Sequence, residues 1–255
     1  MFRLRGFCCC LLALASWAGA PHTLTIAAAA DLQFALVEVK RAFVKTHPGI
    51  EVSITYGSSG NFYAQLLNKA PFDLFLSADI TYPKKLVDAG LADGSTEFLY
   101  SRGRLVLWVP KASPIPVEQL GMKALLHPAA KKVAIANPRH APYGRAAEAA
   151  LAKLGLLEAV QPRLVFGENI AQTAQFVQTG AADIGILALS LTKAPAMASG
   201  RMWEVPQEAH PPLDQGGVIL NQARDRAAAL AFRDFLCSPA GKSILHRYGF
   251  TTESR

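Results

Sequence analysis

The feature that most restricts this chain is the steady alternation of strand-like and helix-like segments from residue 24 onward. Residues 24–28 form a short apolar run of the kind that makes a buried strand. Asp31 then begins a segment with Leu32, Leu36, Val39 and Phe43 on one helical stripe, and His47-Pro48-Gly49 ends it. Ile50, Val52, Ile54 and Tyr56 alternate as a half-buried strand does. After Gly57-Ser58-Ser59-Gly60 come a helix carrying Phe62, Leu66 and Leu67 and a strand through Asp73, Leu74, Phe75 and Leu76. This βαβαβ order is the half-unit of a doubly wound α/β fold with mainly parallel strands.

The plan then repeats. A short helix at 84–89 closes on Gly90, and a strand at 105–109 runs into the proline-bearing stretch 110–116, where the chain crosses to a second lobe. There, strands at 133–136, 164–166 and 184–189 alternate with helices at 144–154 and 170–179, closed by Gly155 and Gly180. Residues 218–220 read as the return crossing, after which helices near 227–236 and 240–248 pack back on the first lobe. The division is a leader at 1–20, lobe 1 at 21–105 and 220–255, and lobe 2 at 106–219.

The leader has the pattern of a signal peptide: Arg3 and Arg5 precede an apolar run at 7–17 and then small residues. Cleavage is expected after Ala18 or after Ala20. No later stretch reaches the roughly 20 apolar residues of a membrane-spanning helix. Cys8, Cys9 and Cys10 leave with the leader, so Cys237 remains alone and is expected as an apolar thiol near a helix end. The six histidines show no paired spacing that would suit a metal. Basic residues exceed acidic ones by seven, or by five once Arg3 and Arg5 are removed. Such a surplus favours anions without choosing among a small anion, nucleic acid and a membrane surface.

In an open parallel sheet, ligands bind beyond the carboxyl ends of the strands, where the next helices begin. Four such junctions stand out: Ala28 to Asp31, Gly57 to Gly60, Pro138 to Gly144, and Gly167 to Ile170. The first turn of a helix leaves N–H groups without acceptors, and the helix dipole adds positive potential, so each junction can hold an anion. Gly57-Ser58-Ser59-Gly60 is the sharpest, because glycine admits close approach and the serine hydroxyls add donors. A serine before a helix is by default only a cap, so the tetrapeptide alone is weak. It is neither a P-loop nor a nucleophile elbow. At 138–144, Pro142 suits the start of a helix, and Tyr143 can offer its N–H, its hydroxyl or both. Arg139 and His140 read as solvated residues near the rim.

The stretches Ala28-Ala-Ala-Asp-Leu32, Tyr56-Gly-Ser-Ser-Gly60, Ala70-Pro-Phe-Asp-Leu-Phe-Leu-Ser-Ala-Asp79, Leu105-Val-Leu-Trp-Val-Pro-Lys111, Asn137 to Gly144, and Arg247-Tyr-Gly-Phe250 together resemble the periplasmic molybdate-binding receptors of ABC importers. The resemblance spans the whole chain after the leader. It implies a type II periplasmic-binding-protein fold, in which two α/β lobes joined by two crossing strands close around an anion. It implies a periplasmic monomer that captures molybdate or tungstate and hands it to a membrane permease, with no cofactor, no directly coordinated metal and no nucleic acid. Carried across position by position, the oxyanion contacts fall at Ala30 and Asp31, at Ser59 beside Ser58, at Tyr143 and at Ile170.

Two departures stand out. Some relatives have a hydroxyl or amide donor where this chain has Ala30-Asp31, and an ionised aspartate cannot donate. Asp31 therefore either turns away as a helix cap, the expected role, or accepts a proton from a protonated oxyanion such as phosphate. Other relatives use a tyrosine hydroxyl just after Gly185, where this chain has Leu187 and Ala188, and Tyr143 is the expected substitute. The rival readings are a receptor for sulfate or phosphate, and a hydrolase in which His140 activates Ser58 or Ser59.

Overall fold

The computed structural model describes residues 23–251, so the leader, its cleavage site and the three leader cysteines lie outside the described residues. The first half of the chain runs β1 (Thr23–Ala29), α1 (Gln33–Thr46), β2 (Glu51–Gly57), α2 (Ser59–Leu67), β3 (Leu74–Ser77), α3 (Thr81–Asp88) and β4 (Phe98–Gly103). Next come β5 (Leu105–Val109), α4 (Val117–Leu120), β6 (Val133–Ala136), α5 (Pro142–Lys153), α6 (Leu157–Val160), β7 (Leu164–Gly167), α7 (Ile170–Gln178), β8 (Ile184–Ala188), α8 (Leu189–Thr192) and β9 (Arg201–Glu204). The chain closes with β10 (Leu213–Ile219), α9 (Arg226–Cys237) and α10 (Pro239–Arg247).

These strands form two five-stranded sheets, in the order β2-β1-β3-β10-β4 and β7-β6-β8-β5-β9. Each has a parallel trio, β2-β1-β3 or β7-β6-β8, as the βαβ connections require. Each also has an antiparallel pair on one side, β10 and β4 or β5 and β9. The chain passes between sheets twice, from β4 to β5 at Arg104 and from β9 to β10. The division at 219 and 220 read from the sequence would put β10 in lobe 2, whereas its pairing with β3 and β4 puts it in the first sheet. The return crossing therefore lies before Leu213, because the antiparallel ladder captures the whole strand rather than its apolar end.

The first sheet is buried on both faces, and its period of two sorts side chains into two cores. Leu24, Ile26, Ala28, Leu74, Leu76 and Ile219 meet the stripe Leu36, Val39 and Phe43 of α1, with Phe232 and Leu236 of α9. Ala27, Phe75 and Val218 point the other way, onto Phe62, Leu66 and Leu86 of α2 and α3. Phe43 joins α1 to α9 edge-on against Phe232, with ring centroids 5.1 Å apart, and stacks on His47 at the helix end. Truncating so buried a ring costs about 3–5 kcal/mol. The second lobe is built around one core in which β5, β6 and β8 are buried along their full length. Cys237 ends α9 and is only half-buried, where its surroundings push the thiol above its ordinary range by desolvation.

Candidate functional site

All four junctions meet. Ala29, Ala30 and Asp31 after β1, Gly57, Ser58 and Ser59 after β2, Ala141, Pro142 and Tyr143 at the start of α5, and Ile170 at the start of α7 line one cavity between the lobes, with Ala78. The six residues singled out from the sequence are therefore brought together. The cavity is small, about 10 Å³. That is on the scale of a single water molecule, so the closely apposed walls leave no room for a sugar or a peptide. No lysine, arginine or histidine is in its wall.

Local rules explain the donors. Ser59 and Ile170 are the first residues of their helices and Tyr143 the second, so their N–H groups have no intrahelical acceptor. Asn169 caps α7 by accepting from Ala171 and Gln172 at 3.0 Å, which satisfies the neighbours of Ile170 and leaves its own N–H over. The Ser59 hydroxyl is fully buried and its oxygen accepts from the Ala78 N–H at 3.0 Å. With that lone pair occupied, the hydroxyl proton is free to donate into the cavity. Ala30 sits in the single 3-10 turn between β1 and α1 and is buried.

Asp31 departs from its expected capping role. No side chain caps the turn at 30–32, and the carboxyl is only 1% exposed. Its Oδ2 accepts from the Tyr143 hydroxyl at 2.9 Å and from the Gln215 amide, while Oδ1 is buried with no hydrogen-bond partner. Burial pushes the carboxyl up to about 6, against the Gln215 and Tyr143 hydrogen bonds and the nearby N–H groups of Asp31 and Leu32, which pull it down. Tyr143 is held well above the ordinary phenol range by burial and by Asp31, so it stays protonated and donates. Its single proton is engaged by Asp31, so the hydroxyl does not stand in for the tyrosine missing at Leu187 and Ala188; its N–H remains available.

Gln215 escaped the sequence reading. Its side chain is fully buried beside a β-bulge between Gln215 and Gly216, an irregularity of the kind that re-aims side chains. Its carbonyl accepts from Ser101 of β4 at 3.3 Å, which orients the amide nitrogen toward Asp31. A lone amide among the inward positions Leu213, Gly217 and Ile219 was the available signal, since buried polar groups need partners. Gly103 makes room for this network, because a Cβ there would lie 2.1 Å from the Tyr143 hydroxyl.

The lobes are held together around the cavity by contacts that cross between them. The Gly60 N–H donates to the His140 carbonyl at 2.8 Å, and Ser58 Oγ lies 3.0 Å from His140 Nδ1. Asn61 donates to Glu168, and the Ser190 hydroxyl donates to the Asp31 carbonyl at 2.7 Å. Arg145 reaches Asp79 at 2.7 Å and the Tyr82 hydroxyl at 3.0 Å. His140 is thus half-buried in an interlobe contact rather than solvated at the rim, because its carbonyl engages Gly60 of α2 and its ring engages Ser58 just before that helix. Ser58, His140 and Glu168 form a row that looks like a nucleophile, base and acid. The row ends 3.7 Å away on a carboxylate whose side chain is 58% exposed, too loose to orient a catalytic imidazole.

Two lobes, two crossings and a small cavity at facing helix starts define a class, the two-lobed solute receptor. The chain belongs to the family of bacterial extracellular solute-binding proteins, whose pattern it matches over residues 24–251. It is 42% identical over 205 residues to the molybdate-binding protein ModA of Rhodobacter capsulatus, covering 80% of this chain and 79% of that protein. It is 41% identical over 226 residues to the molybdate-binding protein ModA of Azotobacter vinelandii, covering 88% of each. The fold superposes on the Azotobacter vinelandii periplasmic molybdate-binding protein with a TM-score of 0.84 at 32% identity, covering 91% of this chain and all of that one. Proteins of this kind bind solutes and are not enzymes, so the hydrolase alternative has no support.

Proposed function

We propose that this protein captures molybdate or tungstate between its lobes and delivers it to the permease of an ABC importer. The observation that carries the reading is the convergence of four helix starts on one cavity walled by donors and lacking any cation. Fixed dipoles suit a tetrahedral dianion, since several partly charged N–H groups share its charge without a full counter-ion that would hinder release. Ala30 and Asp31 contribute through the turn after β1, Ser58 and Ser59 through the start of α2, and Tyr143 and Ile170 through the N–H groups of α5 and α7. Closure follows from contacts that exist only when both lobes meet, so the permease can distinguish the loaded form. The leader exports the chain to the periplasm, where it acts as a monomer with no cofactor; molybdenum or tungsten enters as oxyanion cargo.

The test is calorimetric titration of the purified protein with molybdate, tungstate, sulfate and phosphate at pH 6. Saturable binding of the first two, and at least 100-fold weaker binding of the others, is expected. Tight phosphate binding without molybdate binding would overturn the assignment.

A further inference from the structure

Asp31 is the one charged group in the wall of a cavity otherwise built to hold an anion. It cannot swing away, because Tyr143 and Gln215 hold Oδ2 and Ser190 pins its carbonyl. A carboxylate and a dianion in contact, with no cation between them, repel strongly in so dry a place. Both side-chain donors fall on Oδ2, and no donor makes a hydrogen bond of ordinary geometry to Oδ1, although the N–H groups of Asp31 and Leu32 lie near the carboxyl. Oδ1 is therefore the oxygen on which a proton costs no existing hydrogen bond.

We infer that capture of the oxyanion is coupled to uptake of one proton from solvent onto Oδ1 of Asp31, converting the one carboxylate in the cavity wall into a further donor to the bound oxyanion. This rests on the oxyanion-binding reading above and adds a specificity device to it. The atoms balance simply: the anion enters as its dianion, the proton comes from water or buffer, and the carboxyl becomes neutral. The Oδ1–H then donates to an anion oxygen, as the Ser59 hydroxyl does.

Among the described residues of the cavity wall no other group takes up a proton, and His140 stands outside that wall, behind Ser58. The titratable groups that face Asp31 are Tyr143 of α5 and Tyr100 of β4, both held well above the ordinary phenol range by burial and by Asp31 itself, and hence neutral. β2 contributes Tyr56, which desolvation pushes up to about 12, and at its far end Glu51. Neither α7 nor α8, which pack on the turn, carries a titratable side chain, and β10 offers Gln215 there. The charged residues of α1, Glu38, Lys40, Arg41 and Lys45, all lie beyond its first turn, and the three basic ones are exposed. Without ligand, burial already places the carboxyl near 6. A dianion alongside raises it further, so uptake grows as pH rises above that value and affinity falls.

Calorimetric titration with molybdate at pH 6, 7 and 8, in buffers of contrasting ionisation enthalpy, reads this directly. About half a proton should be taken up at pH 6 and about one at pH 8, with Kd weakening roughly 50-fold between them, as a carboxyl near 6 requires. Asp31→Asn should take up none and bind with a pH-independent Kd, its fold verified by an unchanged circular dichroism spectrum. Tyr143→Phe removes a donor from Oδ2 and should move the fall in affinity to higher pH, which a merely structural residue would not do. Molybdate binding with no proton uptake at pH 8, or uptake that persists in Asp31→Asn, overturns the proton coupling alone. Failure of both molybdate and tungstate to bind at any pH removes the functional assignment and this inference with it.

Discussion

Two junctions of the first lobe, the turn after β1 and the turn after β2, do the same task with different chemistry. Each ends a parallel strand, starts a helix, lines the cavity and grips the second lobe. The Gly57 to Gly60 turn grips through its own backbone and hydroxyl: the Gly60 N–H on the His140 carbonyl and the Ser58 hydroxyl on the His140 ring. The Ala29 to Asp31 turn grips through an ionisable group, a buried carboxyl shared with Tyr143 and Gln215. The difference teaches that geometry of closure and sensitivity to pH are separable here. The glycine turn after β2 fixes how near the lobes come, and the aspartate turn after β1 fixes what closure costs at a given pH.

Breaking the glycine turn should have the largest effect. A Cβ on Gly60 would stand 2.5 Å from the His140 carbonyl oxygen, so Gly60→Ala prevents the lobes from meeting. Molybdate affinity at pH 6 should fall more than 100-fold in calorimetry while the melting temperature of the ligand-free protein changes little. Ser59→Ala removes a donor to a charged ligand, worth about 1.5–3 kcal/mol, and should weaken binding about 10- to 100-fold at every pH. A pH-dependent loss would mean that the two turns are not independent.

Asp31 sharpens the comparison through stability. Its folded carboxyl is raised to about 6 from an ordinary 3.8, so the native state holds the proton more tightly than the unfolded chain. Stability must then fall as pH rises from about 4 to about 6, by at most about 3 kcal/mol, because unfolding rehydrates the carboxylate. Asp31→Asn should raise the melting temperature at pH 7.5 and leave it unchanged at pH 4, as differential scanning calorimetry can show. The smallest effect is expected from Ser190→Ala, which deletes one buried cross-lobe hydrogen bond of about 1 kcal/mol and should weaken binding about fivefold.

The strands legible in the sequence were those of the parallel trios and, among the antiparallel ones, β5, which coincides with the expected 105–109. The expected 133–136 is β6 itself, and 24–28 and 164–166 fall within a residue of β1 and β7. The inner ones, β3, β5, β6 and β8, are covered on both faces and read as apolar runs, whereas β2 at an edge reads as an alternation. β4, β9 and most of β10 were missed, and all three belong to the antiparallel additions at the crossings. Phe98-Leu-Tyr-Ser-Arg-Gly and Leu213-Asp-Gln-Gly-Gly-Val-Ile mix charged, amide and glycine residues because these strands serve the hinge and the site as well as the core. His140 was misjudged for a related reason, since its partners Ser58 and Gly60 lie about 80 residues away on the other lobe.

The sequence by itself determined the two α/β lobes and the four helix starts, because hydrophobic period, capping residues and orphan N–H groups are local consequences of neighbouring residues. Only the tertiary structure decided the state of Asp31. Its partners, Tyr143 and Gln215, lie 112 and 184 residues away and are delivered by lobe closure and by a bulge in a crossing strand. A carboxyl's charge depends on its burial and on the donors around it, and neither is written in its sequence neighbours.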